Sequence, residues 1–398
     1  MSWLGLYGFA WTDYEVEAAP AFSALVHGQF TRFMEQLPAY GGSLEMRAPI
    51  ALLVGLVGGD ELAVYRAVAL PCLLAGAVLG VWLVSRMRAA GRSRLSRGVV
   101  LGLCVGNPIT LRALELGHPE ELLGAVLCVA AVLVATRNRP VLAGLLLGLA
   151  IANKQWALLA VGPVLVAIPA KTPAGEERVR ATFVGAVVAC AFLIPMLSFH
   201  PPGATSSAGI AVSQSGAIFQ PEQVFWFAGD RGHAVRGLFG QLKPGYRTPP
   251  SWLGGLAHPL IIALAVPLTL LCLGRRRRGC RPGDALLLLS LLLLLRCVLD
   301  PWDAVYYPLP FLLAVLGWEA TTKHRPPVLS LTAAAGVWSI FVWLPETLSA
   351  DATSAASMAI ALPAATALAV ALYGGRARSA VKSRRRAAAI SRRSPTPW

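Results

Sequence analysis

The stretch GHPEELLGAVLCVAAVLVATRNR, residues 117–139, indicates how the whole chain is arranged. It opens with a turn that carries His118 and two glutamates, continues as an apolar run, and ends at Arg137 and Arg139. Short loops rich in Lys and Arg remain on the cytoplasmic side of a membrane. The stretch therefore predicts a transmembrane helix with a cytoplasmic basic end and an outward-facing polar turn.

The same pattern extends in both directions along the chain. Basic clusters alternate with long apolar stretches, and an acidic or amide-rich turn interrupts several of these stretches. Because both flanking clusters are cytoplasmic, each such turn is predicted to be the outer turn of a transmembrane hairpin. The clusters fall at 86–97, 137–139, 171–180, 275–281, 323–325 and 376–393, and the turns at 117–121, 153–155 and 300–303.

The composition is that of an integral membrane protein, because 56% of the 398 residues are hydrophobic and only 14% are charged. The net charge of +15 comes mainly from the basic clusters, so its expected partner is the anionic lipid of the inner leaflet. These basic residues are spread over separate loops, which argues against nucleic-acid binding. The seven cysteines lie almost wholly in apolar runs and have no metal-binding spacing.

The predicted fold class is all-α: a polytopic transmembrane helical bundle of about eleven helices. Residues 1–61 are predicted to form an external amphipathic loop, residues 62–374 the bundle with a long external loop at 200–253, and residues 375–398 a basic cytoplasmic tail. A twelfth helix upstream of Met1 would explain how the amino terminus reaches the outside. The predicted spans are 62–84, 98–113, 119–136, 140–153, 156–170, 181–199, 254–274, 283–299, 304–319, 328–345 and 354–374.

One of these spans is too short to cross the bilayer. Residues 140–153 extend about 21 Å at about 1.5 Å per residue, whereas the hydrocarbon core is ~30 Å thick. Irregular backbone at that depth is tolerated only where it is buried in protein or lines a cavity. The turn that follows, Asn153-Lys154-Gln155-Trp156, is therefore predicted to lie in a cavity below the outer surface.

The first external segments contain candidate catalytic and binding residues. Asp13 and Glu15 lie in TDYEVE, residues 12–17, where a carboxylate can act as general base toward a hydroxyl; a solvated acidic loop is the alternative. His118 and Glu120 flank Pro119 at the start of a predicted helix, where acidic residues complement the helix dipole. That local role is sufficient for Glu120, while His118 can also contact a phosphate or a sugar.

Two cations in apolar surroundings are candidates for binding a phosphate. Lys154 binds the phosphate of a lipid-linked substrate or, alternatively, reaches the outer headgroups with its long side chain. Arg296 precedes Asp300 by four residues, a spacing that places both on one helix face and predicts an ion pair. That pair is purely structural, or Asp300 orients the Arg296 guanidinium toward a phosphate.

The segment Asp300-Pro301-Trp302-Asp303 with Tyr307 combines carboxylates and aromatic rings. Aromatic residues at this depth form an interface belt or, alternatively, stack on the faces of sugar rings. Taken singly, these motifs have structural explanations. Jointly, they place acidic, basic and aromatic side chains from separate turns on the same external side.

These motifs resemble the polytopic GT-C glycosyltransferases, and most closely glycosyltransferase family 87, which includes polyprenyl-phosphate-mannose-dependent mannosyltransferases of bacterial envelopes. The resemblance implies that an acidic residue in the first external loop, here Asp13, is the catalytic base, and that the donor is a sugar on a polyprenyl phosphate. In that family a transmembrane helix precedes this residue. Only twelve residues precede Asp13, so either the start is late or the chain is a shortened relative. The stretches that carry the resemblance are 12–28, 117–121, 148–156 and 300–310, within about 10–320.

The resulting hypothesis is a membrane glycosyltransferase that transfers a sugar, in particular mannose, from a polyprenyl-phosphate donor to an envelope glycolipid or glycan on the extracytoplasmic face. Asp13 would deprotonate the acceptor hydroxyl, which attacks the anomeric carbon with inversion, and Arg296 or Lys154 would hold the departing phosphate. No metal and no cofactor are expected. The alternatives are a transporter or flippase of lipid-linked sugars and a non-catalytic scaffold. The predicted substrate contacts are Glu15, His118, Glu120, Lys154, Arg296, Asp300, Trp302, Asp303 and Tyr307.

Overall fold

The computed structural model describes residues 12–38, 40–169, 174–199, 219–232, 235, 242–276 and 283–374. Over these residues the protein is an all-α helical bundle, as predicted. The described part contains no β-strand, and one isolated bridge pairs Asp230 with Thr248. The predicted tail at 375–398 and the first part of the predicted external loop at 200–253 lie outside the described residues.

The N-terminal segment, predicted as an amphipathic loop, consists largely of four helices where it is described. Its aromatic and aliphatic side chains form a small core of their own, in which Tyr14 and Phe22 pack with Tyr65 of the following helix. Pro20 lies in the first turn of one of these helices, where its missing N–H costs nothing. The helices are α1 Thr12–Glu17, α2 Ala19–Val26, α3 Phe30–Glu35 and α4 Gly41–Leu56.

The next predicted spans correspond to three helices. Asp60 caps α5, Glu61–Ala89, by accepting a hydrogen bond of 2.8 Å from the Ala63 amide. The predicted span 98–113 is divided into α6, Arg94–Val105, and α7, Pro108–Leu116. The break falls at Asn107 because proline disfavours helical backbone in the residue before it, and the Asn107 side chain caps α7.

Three helices form the centre of the bundle and are buried on almost every side. They are α8, Pro119–Ala135, α13, Asp284–Leu299, and α14, Leu309–Thr322. Helices that are apolar all round belong in the interior of a large bundle. Around them lie α9 Pro140–Asn153, a 3₁₀ helix Gln155–Ala160, α10 Val161–Ala167, α11 Ala174–Ser198, α12 Leu253–Arg276, α15 Val328–Trp338, a π-helical turn Ser339–Trp343, α16 Leu344–Thr347 and α17 Ala350–Tyr373.

Length and composition allow six of the described helical segments to cross a membrane. Short α9 packs tightly on one of them, α11, through small residues. A Cβ atom added to Gly144 or Gly148 would collide with the α11 backbone at Ala181 or Gly185. Close backbone approach at small residues is typical of membrane helix pairs.

The bundle has two chemically different ends. The polar end contains the turn at 117–121, Lys154 and residues 300–308, and α1 to α4 pack against it. The arginine end contains the final residues of α5 and α8 with Arg86 and Arg137. Both α8 and α14 run from the first end to the second, because His118 and Tyr306 are in contact before these helices begin. The described loop residues cover the polar end, where the Gln220 amide donates to the Pro301 carbonyl at 3.0 Å.

Candidate functional site

The turn between α7 and α8 brings the N-terminal segment to the bundle. Gly117 ends α7 in the left-handed conformation, with φ of 94°, which glycine adopts without strain. A Cβ atom at this position would lie 2.5 Å from the Tyr14 Cβ. The turn therefore packs directly on α1 and places His118 beside Asp13.

His118 is buried between two carboxylates. Its Nε2 lies 3.2 Å from Asp13 Oδ2, and its Nδ1 lies 2.8 Å from Glu120 Oε1. Burial alone would lower the pKa of His118, but the charge of Glu120 and the hydrogen bonds to both carboxylates raise that pKa to about 10. The ring therefore carries two N–H groups and a positive charge, and it holds Asp13 in place.

Glu120 is the centre of a buried charge cluster. Its side chain is 1% exposed and also lies 3.2 Å from Lys154 Nζ and 3.4 Å from an Arg47 guanidinium nitrogen. Lys154 is shared with Glu121, whose carboxylate is 3.4 Å away. Because removing one partner of a buried ion pair leaves a buried charge uncompensated, each member depends on the others.

The end of α9 is fixed to this cluster by Asn153. Its side-chain amide donates to the Glu120 carbonyl at 2.8 Å, and its side-chain oxygen accepts from Ser43 at 2.9 Å. Lys154 then leaves the helix in an extended conformation, and its ammonium lies 4.0 Å from the centre of the Tyr40 ring. The turn after α9 is thus covered by α4 and by Tyr40, the residue that precedes α4.

The two acidic residues predicted as site residues in the N-terminal segment, Asp13 and Glu15, lie on different faces of α1. Asp13 and Glu17 are four residues apart and share a helix face, so both reach the site. Glu17 accepts a hydrogen bond of 2.7 Å from the Tyr40 hydroxyl. Glu15 is exposed and lies on another face of α1, outside the cluster. The helical phase therefore brings Glu17 into the site where Glu15 was expected.

Arg296 reaches the same region from α13. Its guanidinium carbon lies 4.1 Å from the centre of the Tyr307 ring and 5.1 Å from that of Trp156, and it donates to the Tyr307 carbonyl at 3.3 Å. The centre of the neighbouring Tyr306 ring lies 4.2 Å from the centre of the His118 ring. This contact connects the region to the charge cluster.

The predicted ion pair between Arg296 and Asp300 is not formed within 4 Å among the described residues. Helical geometry ends at Leu299, and Asp300 is extended, so the four-residue spacing no longer places the two side chains together. The Asp300 carboxylate accepts instead from the Trp302 amide at 3.1 Å and lies 3.5 Å from His258 Nε2.

Asp303 and Trp302 complete the segment between α13 and α14. Asp303 is buried, and burial together with the nearby charge of Asp300 raises its pKa well above the usual value, which favours the neutral acid. Trp302 is half-buried, with its ring 5.2 Å from that of His258. Over the described residues, no group of three or more His, Cys, Asp or Glu side chains is arranged to hold a metal ion.

Several members of the cluster were not expected from the sequence. Arg47 is the most informative, since it is the single cation of the mainly apolar helix α4 and is only 3% exposed. That isolation is a signal of the same kind as the one that identified Lys154. Tyr40 and Ser43 have no comparable signal, because ordinary polar residues are frequent near helix starts.

A comparison with protein-family profiles matches residues 46–301 to glycosyltransferase family 87. The chain belongs to this family. No curated protein and no solved structure matches it. The match contains Arg47, His118, Glu120, Lys154 and Arg296, and it confirms the family that the sequence motifs suggested. Asp13 lies before the matched segment, so its place in the site rests on the geometry alone. As a member of the family, the protein is a membrane glycosyltransferase.

Proposed function

We propose that the protein transfers a sugar, in particular mannose, from a polyprenyl-phosphate donor to a glycolipid or glycan acceptor of the cell envelope. The observation that carries the proposal is the position of Asp13. Its side chain is 24% exposed, whereas the side chains of His118, Glu120 and Glu121 are almost completely buried. Asp13 is thus a partly exposed carboxylate of the site whose orientation is fixed by a buried cation.

The chemistry follows from that position. Asp13 accepts the proton of an acceptor hydroxyl, and the resulting oxygen nucleophile attacks the anomeric carbon of the donor sugar. The bond between that carbon and the phosphate oxygen breaks, and polyprenyl phosphate leaves. A single displacement of this kind inverts the anomeric configuration. His118 is a positioning residue, because it holds the Asp13 carboxylate and lies behind it.

Arg296 is the better placed of the two cations suggested for the phosphate. Lys154 is already shared between Glu120 and Glu121, so little of its charge remains for a ligand. Arg296 makes one backbone hydrogen bond and lies against two aromatic rings, which leaves donors of its planar guanidinium for phosphate oxygens. A phosphate leaving group needs charge stabilisation in the transition state, and Arg296 supplies it.

The neighbouring aromatic and acidic residues suit the sugar. Trp302 is half-buried beside Asp300, and Tyr307 stacks on Arg296, so aromatic faces and hydrogen-bonding groups lie next to the proposed phosphate site. Glu120 supports the site from within by holding His118. We further propose that this end of the bundle is extracytoplasmic and that the carboxyl terminus is cytoplasmic, because the basic loops lie at the other end.

The experiment is a transfer assay on the protein in lipid nanodiscs, with a radiolabelled polyprenyl-phospho-mannose and an envelope glycolipid acceptor. Asp13→Asn is expected to lower the transfer rate by ~10²–10⁴ without changing donor binding, as removal of a general base does. The matched control is Glu15→Gln, which removes an exposed carboxylate from the same helix and should leave the rate unchanged.

Three results would contradict the proposal. Undiminished turnover in Asp13→Asn would remove the general-base role from this residue. Transfer from a nucleotide sugar but not from the polyprenyl donor would keep the glycosyltransferase activity and exclude the proposed donor. Net movement of the lipid-linked sugar across the bilayer without transfer would instead favour the transporter alternative.

A further inference from the structure

A pocket lined by both apolar and polar side chains lies at the arginine end, at the opposite end of α8 from the candidate site. It has a volume of about 130 Å³ and is bounded by the last turns of α5, α8 and α14 and by the start of α13. Its polar lining includes Arg86, Arg137, Thr136 and Thr322. The volume is sufficient for several water molecules, or for an anion of the size of a phosphate group.

The two arginines are not neutralised. Neither Arg86 nor Arg137 forms an ion pair with a carboxylate within 4 Å among the described residues. This differs from the polar end, where Arg47 and Lys154 both meet Glu120. Two like charges on one pocket repel each other, and an anion bound between them would remove that repulsion.

The pocket has a defined wall, and one of its two arginines, Arg137, is held in place. The Arg137 guanidinium carbon lies 4.8 Å from the centre of the Trp82 ring, a contact that restricts the plane of the guanidinium. Gly283 forms the wall where α13 begins, and a Cβ atom there would collide with the Thr322 side chain. The threonine hydroxyls donate to carbonyls of their own helices, so the arginines are the donors available to an anion.

An apolar surface leads from the pocket along α5. Val78, Trp82 and Arg86 are spaced by four residues and therefore lie along one helix face. Val78 is 68% exposed, and Val81 beside it is 58% exposed. A molecule with a phosphate group and an acyl chain could therefore place its phosphate at Arg86 and its chain along these valines.

We propose that this pocket binds the headgroup phosphate of an anionic membrane lipid. Arg86 and Arg137 donate to the phosphate oxygens, and the flat guanidinium groups suit two parallel hydrogen bonds to them. Basic pockets between helices at the cytoplasmic face are suited to anionic headgroups. The proposal concerns the arginine end alone and does not depend on the reaction at the polar end.

The test measures the affinity of the purified protein for phosphatidylglycerol, added to detergent micelles, by native mass spectrometry and by the shift in melting temperature. Phosphatidylcholine is the zwitterionic comparison, and inorganic phosphate tests a free anion. The double variant Arg86→Gln with Arg137→Gln is expected to lower phosphatidylglycerol affinity by at least about 10-fold. The matched variant, Arg88→Gln with Arg139→Gln, removes the same charge from neighbouring residues that do not line this pocket, and it should retain most of the affinity.

Equal losses in the two double variants would overturn the proposal, because the attraction would then be a diffuse effect of charge. Binding of phosphatidylcholine as strong as that of phosphatidylglycerol would also overturn it. Inorganic phosphate that saturates the pocket and displaces no lipid would assign the site to a free anion instead. A melting curve of each variant without added lipid shows whether the fold is intact.

Discussion

The two ends of α8 contain charged residues in opposite arrangements. At the first end, Glu120 and Glu121 are almost completely buried and contact cations from α4 and from the turn after α9. At the other end, Arg137 and Arg139 are exposed and pair with no carboxylate within 4 Å among the described residues. Exposed charge in a basic loop orients the helix at little cost, whereas buried charge is costly to desolvate. This difference agrees with the proposal that the buried end carries the chemistry and that the exposed end sets the orientation.

A reversed membrane topology would contradict the interpretation of the two ends of α8 most completely. We expect Glu61→Cys, at the polar end, to react with a membrane-impermeant maleimide in intact cells, and Arg139→Cys, at the arginine end, to remain unlabelled. Both side chains are exposed, unlike Glu120, Lys154 and Asp303, so their accessibility depends on the side of the membrane. The native cysteines are replaced in this background, and labelling of lysed cells is the control.

Labelling of Arg139→Cys but not of Glu61→Cys in intact cells would contradict both the positive-inside assignment and the extracytoplasmic site.

A large effect on stability is expected for Glu120→Gln. The substitution keeps the shape of the side chain but removes the charge that Arg47, Lys154 and His118 share. Leaving buried cations uncompensated costs about 3–5 kcal/mol, so the melting temperature in detergent should fall by several degrees. Thermal unfolding followed by tryptophan fluorescence is the measurement.

The matched control is Glu115→Gln, three residues after Arg112 on α7. That ion pair is more than one third exposed on both sides, and such pairs contribute about 1 kcal/mol or less. If Glu120→Gln changes stability no more than Glu115→Gln does, the buried cluster is not electrostatically interdependent, and the contrast between the two ends of α8 loses its meaning.

The sequence predicts the fold well where apolar length decides it. The limits of α8 and α9 were predicted to within a residue, because a proline opens each helix and a polar residue closes it. The division at Asn107 and the 3₁₀ turn after Lys154 were missed. Both lie inside stretches of high average hydropathy, so an interpretation by hydropathy passes over them, although Pro108 itself disfavours helical backbone at Asn107.

The site is predicted less completely, for reasons that the individual residues illustrate. His118, Glu120 and Lys154 are visible because ionisable groups stand out in apolar surroundings. Arg47, which pairs with Glu120, cannot be linked to it from the sequence, because it lies 73 positions earlier in the chain. The sequence does not distinguish Glu15 from Glu17 as a site residue, because the six residues of α1 do not reveal which face turns inward. The Arg296–Asp300 pair was expected on one helix face, but α13 ends at Leu299, one residue before Asp300.

Substitutions at Arg296 test the distinction between cations that bind a ligand and cations that do not. We expect Arg296→Ala to weaken binding of polyprenyl-phospho-mannose by about 10- to 100-fold, the effect of losing a charged hydrogen bond. Arg296→Lys should restore only part of this, because an ammonium cannot form two parallel bonds. Arg275→Ala is the control, since Arg275 also lies over a tyrosine ring, that of Tyr373, away from the polar end.

Donor affinity is measured in nanodiscs beside a melting curve. A lower melting temperature for Arg296→Ala with unchanged donor affinity would make Arg296 a structural residue and place the phosphate elsewhere, with Lys154→Ala as the next variant to measure.

The last expected effect is the pH dependence that His118 gives to stability. Its pKa in the folded protein is raised to about 10 from an ordinary value of 6.5. A raised folded pKa means that the folded state favours the protonated ring, so the stabilisation is fully present below about pH 6.5 and is lost as the pH rises through about 10. The melting temperatures of wild type and His118→Gln should therefore differ most near pH 6 and converge toward pH 10.

The control is His27→Gln, which replaces an exposed histidine. Its stability should differ from that of wild type by no more than about 0.5 kcal/mol at every pH. A difference that grows toward high pH would mean that His118 is neutral between its two carboxylates, and then Asp13 would be held by a neutral ring and not by a buried cation.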